Sequence, residues 1–382
     1  MHQLRKSRVA YVSSYPPREC GIATFTRNLV EAVNKFQILA PGVVVAVNEK
    51  GALYNYGRRV QFQIDRDAIK SYLEAASWIN RSNIELVNLQ HEFGLFGGAW
   101  GEHIVTFLDA LQKPVVTTLH NVFANPSPKV REVVEKIAQK SISIVAISLN
   151  AIRILRDGYR IDGSKVKLIP HGAPDIPYVK SDARKASLGL KGKIVLSTFG
   201  LMSRNKGIQQ VVRALPSIIK HYPKLVYLVI GATHPEVRKI QGERYRNRVT
   251  KLVDTLGLDK YVRFNNRFLS ERELIQHLQA TDIYVAPYIN RDQVSSGTLV
   301  YALVAGKAIV STPFYHAEEL LADGRGLLCR FRSPTTIAKS VVMLLDDEEL
   351  REDMEKKAYE YGRTFIWSNV AEEYIKLFHD FM

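Results

Sequence analysis

Short, continuous apolar runs alternate with amphipathic stretches from one end of the chain to the other, and few folds accept that pattern. In the first half the runs fall at 9–12, 43–47, 84–89, 115–119 and 142–147. Helix-like segments at 24–33, 68–79, 103–111 and 130–140 separate them. A strand buried on both faces reads as an unbroken apolar run, and strand–helix alternation implies right-handed βαβ units. The first half is therefore expected to be one open α/β sheet.

A break follows at 170–193, punctuated by Pro170, Gly172, Pro174, Pro177, Ser181, Gly189 and Gly192. A second series then begins, with strands expected at 194–199, 225–230, 261–264, 283–286 and 308–311. Its helices are expected at 208–220, 245–256, 271–280 and 298–305. From Pro334 the strand signal stops, and helices are predicted over 335–345, 348–361 and 368–381. A length of 382 residues suits two domains. Open α/β sheets bind ligands beyond the C-terminal ends of their strands, so two in series predict a cleft that holds two ligands.

Composition narrows the partners. At 46% hydrophobic and 24% charged residues the chain is that of an ordinary globular protein. Its formal charge of +15 suits phosphate-bearing small molecules, an anionic membrane face or nucleic acid. The basic residues are dispersed and do not cluster with aromatic ones, which puts nucleic acid last. Cys20 and Cys329 are the two cysteines, and they have neither a disulfide framework nor metal-ligand spacing. A reducing compartment is implied. The run at 9–12 is too short for a signal peptide, and nothing approaches the about 20 apolar residues of a membrane span. The expected location is the cytoplasm, with a peripheral contact on the inner face of an anionic membrane left open.

Five segments carry candidate chemistry. Tyr15–Phe25 follows the first strand; Pro16 and Pro17 block a helix, and Gly21 then opens one. A helix N-terminus there can face an anion, although an ordinary βα loop reads the same way. Gln90–Gly101 holds four glycines in eight positions, a loop able to approach a ligand or to move as a lid. His91 stands at its start, at the sheet edge; the alternative is a structural histidine. Thr117–Asn121 brings His120 to the same edge. His91 and Glu92 are adjacent on a strand and so point apart, which argues against a metal. Gly200–Gly207 links a strand to a helix, with Arg204 and Lys206 as cations and backbone N–H groups as directional donors for a diphosphate. The alternative is a solvated basic turn. Gln293–Leu299 contains Ser295, Ser296, Gly297 and Thr298, which can cap a helix and cradle a phosphate at once.

In this order these segments resemble the family 4 (group 1) retaining glycosyltransferases over essentially the whole chain. Three further pieces join them: Ile169–Asp175, similar to the family's Pro-Asn-Gly-Val-Asp crossover; Val229–Gly231; and Ala305–Thr312. Trp367 and the last helix are similar to the segment that returns to the N-terminal domain. The resemblance implies a GT-B fold, with two Rossmann-like doubly wound domains facing across a cleft. The boundaries expected are 1–173 for the acceptor domain, 174–364 for the donor domain and 365–382 for the returning helix. It implies transfer of a hexosyl group, with retention, from a nucleotide-diphosphate sugar to a sugar or lipid-linked acceptor. No metal and no cofactor are implied. Arg204, Lys206 and the backbone around Ser296 and Gly297 would hold the leaving diphosphate, whose stabilisation is the main catalytic contribution. His120 would lie near the sugar, with Gly21 near the donor phosphate and His91 on the donor.

The chain departs from that pattern where the family carries a Glu, seven residues and a second Glu. Gln293 and Tyr301 stand there, and the second position usually binds ribose through a carboxylate. Glu318, near His316 and Glu319, is a candidate replacement, with a surface location as the alternative. The lost carboxylates keep two other readings in view. One is a phosphorylase using a sugar 1-phosphate. The other is a non-catalytic sugar- or nucleotide-binding protein.

Overall fold

A computed structural model describes residues 6–52 and 54–382. They form two compact units. One takes in the chain up to Gly172 together with Trp367–Met382, and the other is Ala173–Ile366. The chain thus passes between units at 172/173 and 366/367, where 173/174 and 364/365 were expected.

The first unit runs β1 (Val9–Ser13), α1 (Gly21–Lys35), β2 (Val43–Asn48), β3 (Val60–Asp65), α2 (Ile69–Arg81), β4 (Leu86–His91), α3 (His103–Ala110), β5 (Val115–Leu119), α4 (Pro128–Lys140), β6 (Ser143–Ala146), α5 (Leu149–Tyr159) and β7 (Val166–Leu168). The sheet order is β3-β2-β1-β4-β5-β6-β7, with every pairing parallel. β1, β2, β4, β5 and β6 are buried at every position, which is why they read as largely apolar runs.

The second unit begins with the short α6 (Asp182–Lys185). It continues as β8 (Ile194–Phe199), α7 (Ile208–Ile219), β9 (Leu225–Ile230), α8 (Pro235–Gln241), α9 (Arg244–Thr255), β10 (Val262–Asn265), α10 (Glu271–Gln279), β11 (Ile283–Ala286), α11 (Gly297–Val304), β12 (Ala308–Ser311), α12 (Tyr315–Leu320), β13 (Leu327–Leu328), α13 (Pro334–Asp346) and α14 (Glu348–Gly362). Its sheet is β10-β9-β8-β11-β12-β13, again parallel throughout. Both sheets reverse their strand order at one place, between β1 and β4 in the first and between β8 and β11 in the second. Such switch points are where doubly wound sheets bind ligands.

The last helix, α15 (Trp367–His379), belongs to the first unit. Trp367, Tyr374 and Phe378 share a core cluster with Tyr11, Phe25 and Leu29. A Cβ on Gly172 would lie 2.3 Å from the Trp367 ring, so only glycine lets the chain pass there. No helix among the described residues is long and apolar enough to cross a membrane.

Candidate functional site

In the second unit, the loops after β8 and β11 are fastened to each other at the switch point. Gly207 caps α7 with φ 64°, and a Cβ there would lie 1.9 Å from the Pro287 carbonyl oxygen. The Ile289 N–H donates to the Asn205 carbonyl at 3.0 Å. Gly200, at φ 127°, would meet Thr298 Cγ2 at 3.1 Å and Lys206 Nζ at 3.5 Å. These glycines let two backbones approach and bring Lys206 against α11.

Lys206 Nζ donates to the Tyr288 hydroxyl at 2.8 Å and lies 3.9 Å from that ring's centre. The Tyr288 hydroxyl also bonds Thr298 Oγ1, which is 3.2 Å from Ser296 Oγ. Burial would push the Tyr288 phenol up. The Lys206 ammonium and the Thr298 and Ser296 hydroxyls outweigh it and hold the phenol below its ordinary value. Ser296 is the N-cap of α11, its side chain accepting from Leu299 N at 3.4 Å. Its own N–H donates to His316 Nδ1 at 2.9 Å. Gly297 and Thr298, the first two helical residues, have N–H groups without an intrahelical acceptor. A cation, two hydroxyls and a helix N-terminus therefore converge, which is the chemistry of a phosphate site.

The other second-unit candidates are arranged differently. Arg204 is exposed in the 3₁₀ turn that also carries Lys206. Gln293 is turned onto its own loop, Nε2 donating to the Ser295 carbonyl at 2.9 Å. Ser295 is half-buried. Tyr301 is buried beside Phe199, and its hydroxyl donates to Glu271 Oε1 at 2.7 Å. A carboxylate thus stands one side chain beyond the position where the family carries one. Glu318 forms an ion pair with Arg291 at 3.4 Å. Sequence reasoning missed Tyr288, Glu271 and the role of His316 at the cap. Tyr288 had a readable signal, since it follows a buried strand and Pro287.

In the first unit, His120 is 5% exposed and its Nε2 lies 2.8 Å from Gln90 Oε1. Gln90 Nε2 donates to Asn88 Oδ1 at 2.6 Å and to Thr118 Oγ1, which bonds the Tyr374 hydroxyl at 2.9 Å. With the Gln90 amide nitrogen committed there, Nε2 carries the His120 proton and Nδ1 is the ring's acceptor. Burial, then His171 and His91, hold His120 well below the usual imidazole range, so it is neutral. Phe25 packs edge-on against His120 at 4.7 Å.

His91, expected on the donor, is instead fully buried, stacked on Phe96 and edge-on to Phe93. Neither ring nitrogen has a hydrogen-bond partner among the described residues, and burial lowers its pKa to about 3. It behaves as a core side chain because the following loop folds back over it. Glycines of that loop sit at close approaches within the first unit. A Cβ on Gly97 would lie 1.9 Å from the Arg66 carbonyl oxygen, and one on Gly101 2.9 Å from that of Phe93. Gly21 begins α1 at the surface, and a Cβ there would meet no protein atom within 4 Å. Nothing in the protein itself requires glycine at that position. Among the described residues, no three His, Cys, Asp or Glu side chains are grouped as metal ligands.

Comparison with known proteins fits this geometry. Residues 21–175 match the model of Glycosyltransferase Family 4, and residues 180–361 that of Glycosyl transferases group 1. The chain belongs to this family of glycosyltransferases. The D-inositol 3-phosphate glycosyltransferase of Corynebacterium glutamicum is 25% identical over 71% of this chain and 68% of its own. The chain spans from 59% to 68% of the length of curated relatives of this kind. Among solved structures, sucrose-phosphate synthase from Thermosynechococcus elongatus superposes with a TM-score of 0.81. It is 17% identical and covers 98% of this chain and 99% of that one. Anabaena HepE, solved with UDP and glucose, gives 0.78 at 14% identity, over 98% and 100%. These likenesses show the GT-B type of fold, two parallel-sheet Rossmann-like domains.

Proposed function

We propose that the protein transfers a hexosyl group from a nucleotide-diphosphate sugar to a sugar or lipid-linked acceptor, with retention and without a metal. The observation that carries this is the cluster at the second unit's switch point, where Lys206 Nζ meets Tyr288 and the α11 N-terminus. The leaving diphosphate takes Lys206 and the Gly297 and Thr298 N–H groups, with Arg204 swinging in from the surface. Fixed donors aimed at developing charge are the largest usual source of such catalysis. The positive side chains supply charge that a metal would otherwise bring. His120, neutral and with Nδ1 as acceptor, receives a donor sugar hydroxyl. Gly21 gives the donor phosphate room at α1.

Glu271 is the carboxylate we assign to ribose, oriented by Tyr301. It weakens the case for a phosphorylase, which rested on the want of a carboxylate there. HepE was solved with UDP, which supports a nucleoside diphosphate as the first ligand to try. The test is a thermal-shift screen of nucleoside diphosphates against inorganic phosphate and sugar 1-phosphates, with and without EDTA. A shift of several degrees with one nucleoside diphosphate, unchanged by EDTA, is expected; 100 times Kd stabilises by about 2.7 kcal/mol. A response to sugar 1-phosphates alone overturns the nucleotide donor in favour of the phosphorylase.

A further inference from the structure

We infer that the loops after β4 and β5 form a stacking platform for a pyranose ring of the acceptor, with Trp100 as its face. This rests on the transferase reading above and names the acceptor's chemistry: a sugar held through its apolar C–H face. The loop after β4 is packed down at Gly97 and Gly101, yet it carries Trp100 46% exposed. Trp100 has φ 57° and ψ 29°, the left-handed region that favours glycine. Gly98 and Gly101 on either side, both at φ 79°, show that the chain uses glycine freely here. The largest side chain is placed where glycine fits best and keeps almost half of its surface in solvent, the pattern of a strained functional residue.

The indole is braced from below. Phe93 stacks on Phe123 at 5.2 Å, and Trp100 meets the two rings edge-on at 5.9 Å each. Hydroxyl-binding groups stand on the same two loops. Glu92, next to Phe93, and Asn121, two residues before Phe123, are both half-buried there. A flat aromatic face with a few fixed polar groups at its margin is how proteins hold a sugar, which is apolar on one side and hydroxylated at its rim. A membrane surface would call for unpaired cations around the indole. The cations touching this loop, Arg66 and Lys129, are paired with Asp67 and Glu102.

Saturation-transfer NMR on the full chain tests the inference, using the methyl α- and β-pyranosides of glucose, mannose, galactose and N-acetylglucosamine as probes. At least one should receive saturation on the ring C–H groups of one face. The signal should fall about tenfold in Trp100→Gly and return in part in Trp100→Phe. Trp100→Gly should melt at or above the wild-type temperature, since glycine relieves the backbone. The inference is overturned if no pyranoside is saturated, or if wild type and Trp100→Gly are saturated equally. It is also overturned if Trp100→Gly melts lower, which makes the ring packing, or if Trp100 mediates binding to phosphatidylglycerol vesicles and not to sugars. A melting shift with nucleoside diphosphates on the same samples reads the donor separately. Sugar contacts without that shift sink the donor assignment alone, and the reverse sinks this one alone.

Discussion

At the scale of single residues, Lys206 is the side chain on which the donor assignment turns. Its ammonium is held by one phenol and, among the described residues, by no carboxylate, so an arriving diphosphate can take it without breaking an ion pair. Lys206→Ala should lower turnover at least about 100-fold, read as initial rates with a nucleotide sugar. An unchanged rate removes it from the chemistry. The buried histidines make a second prediction. Burial depresses His91 to about 3, His171 to about 4, and His120 well below the ordinary value. Such groups are neutral when folded but protonate near 6.5 when unfolded, so their stability is present above about 6.5 and lost as pH falls. Glu92, raised by burial to about 7, acts in the opposite sense between its unfolded value and 7. Three protons outweigh one, so the first unit should melt lower at pH 5 than at pH 7. His91→Leu should flatten that slope by about one proton; a slope unchanged in the variant means that His91 is not buried neutral.

At the scale of elements, the loop after β8 works only while it stays fastened to the loop after β11. Gly207→Ala puts a Cβ into the Pro287 carbonyl and holds a side chain at φ 64°. Backbone strain alone costs about 1–3 kcal/mol, and each kcal/mol lowers Tm by about 2–4 °C in a unit of this size. We expect a lower Tm and a loss of turnover with Lys206 intact; a variant matching wild type in both would show that the fastening is dispensable. The strands that sequence made legible are mostly those buried on both faces. β3, β7 and β13 were missed, and each lies at a sheet edge with residues such as Gln61, Gln63 and Lys167 in solvent. An edge strand has no unbroken apolar run to read. The site was legible where glycines and hydroxyls cluster along the chain, as at Gly200–Gly207 and Ser295–Thr298. It was not where partners come from distant elements. Nothing in the spacing joins His316 to Ser296, or Glu271 to Tyr301. A histidine at a strand end looks alike whether the next loop covers it, as Phe93 and Phe96 cover His91, or leaves it open.

At the scale of the whole molecule, the chain leaves the first unit after Gly172 and re-enters it at Trp367, so that unit is completed only by the last residues described. This arrangement ties the integrity of one sheet to a helix almost 200 positions away. α15 buries Trp367, Val370, Tyr374, Ile375, Leu377 and Phe378, and its Tyr374 hydroxyl bonds Thr118 beneath His120. Burying a large apolar side chain contributes about 1.5–3 kcal/mol, so the helix contributes on the order of 10 kcal/mol. That is comparable with the whole stability of an ordinary domain, about 5–15 kcal/mol. Ending the chain at Ile366 should therefore unfold the first unit and spare the second, whose own core clusters contain no residue of α15. Differential scanning calorimetry of the truncated chain should show one transition carrying about half the unfolding enthalpy of the full chain. Limited proteolysis should leave Ala173–Ile366 resistant. Two retained transitions at the original temperatures would mean that the first unit closes its core without α15, and that the Thr118–Tyr374 bond does not support His120.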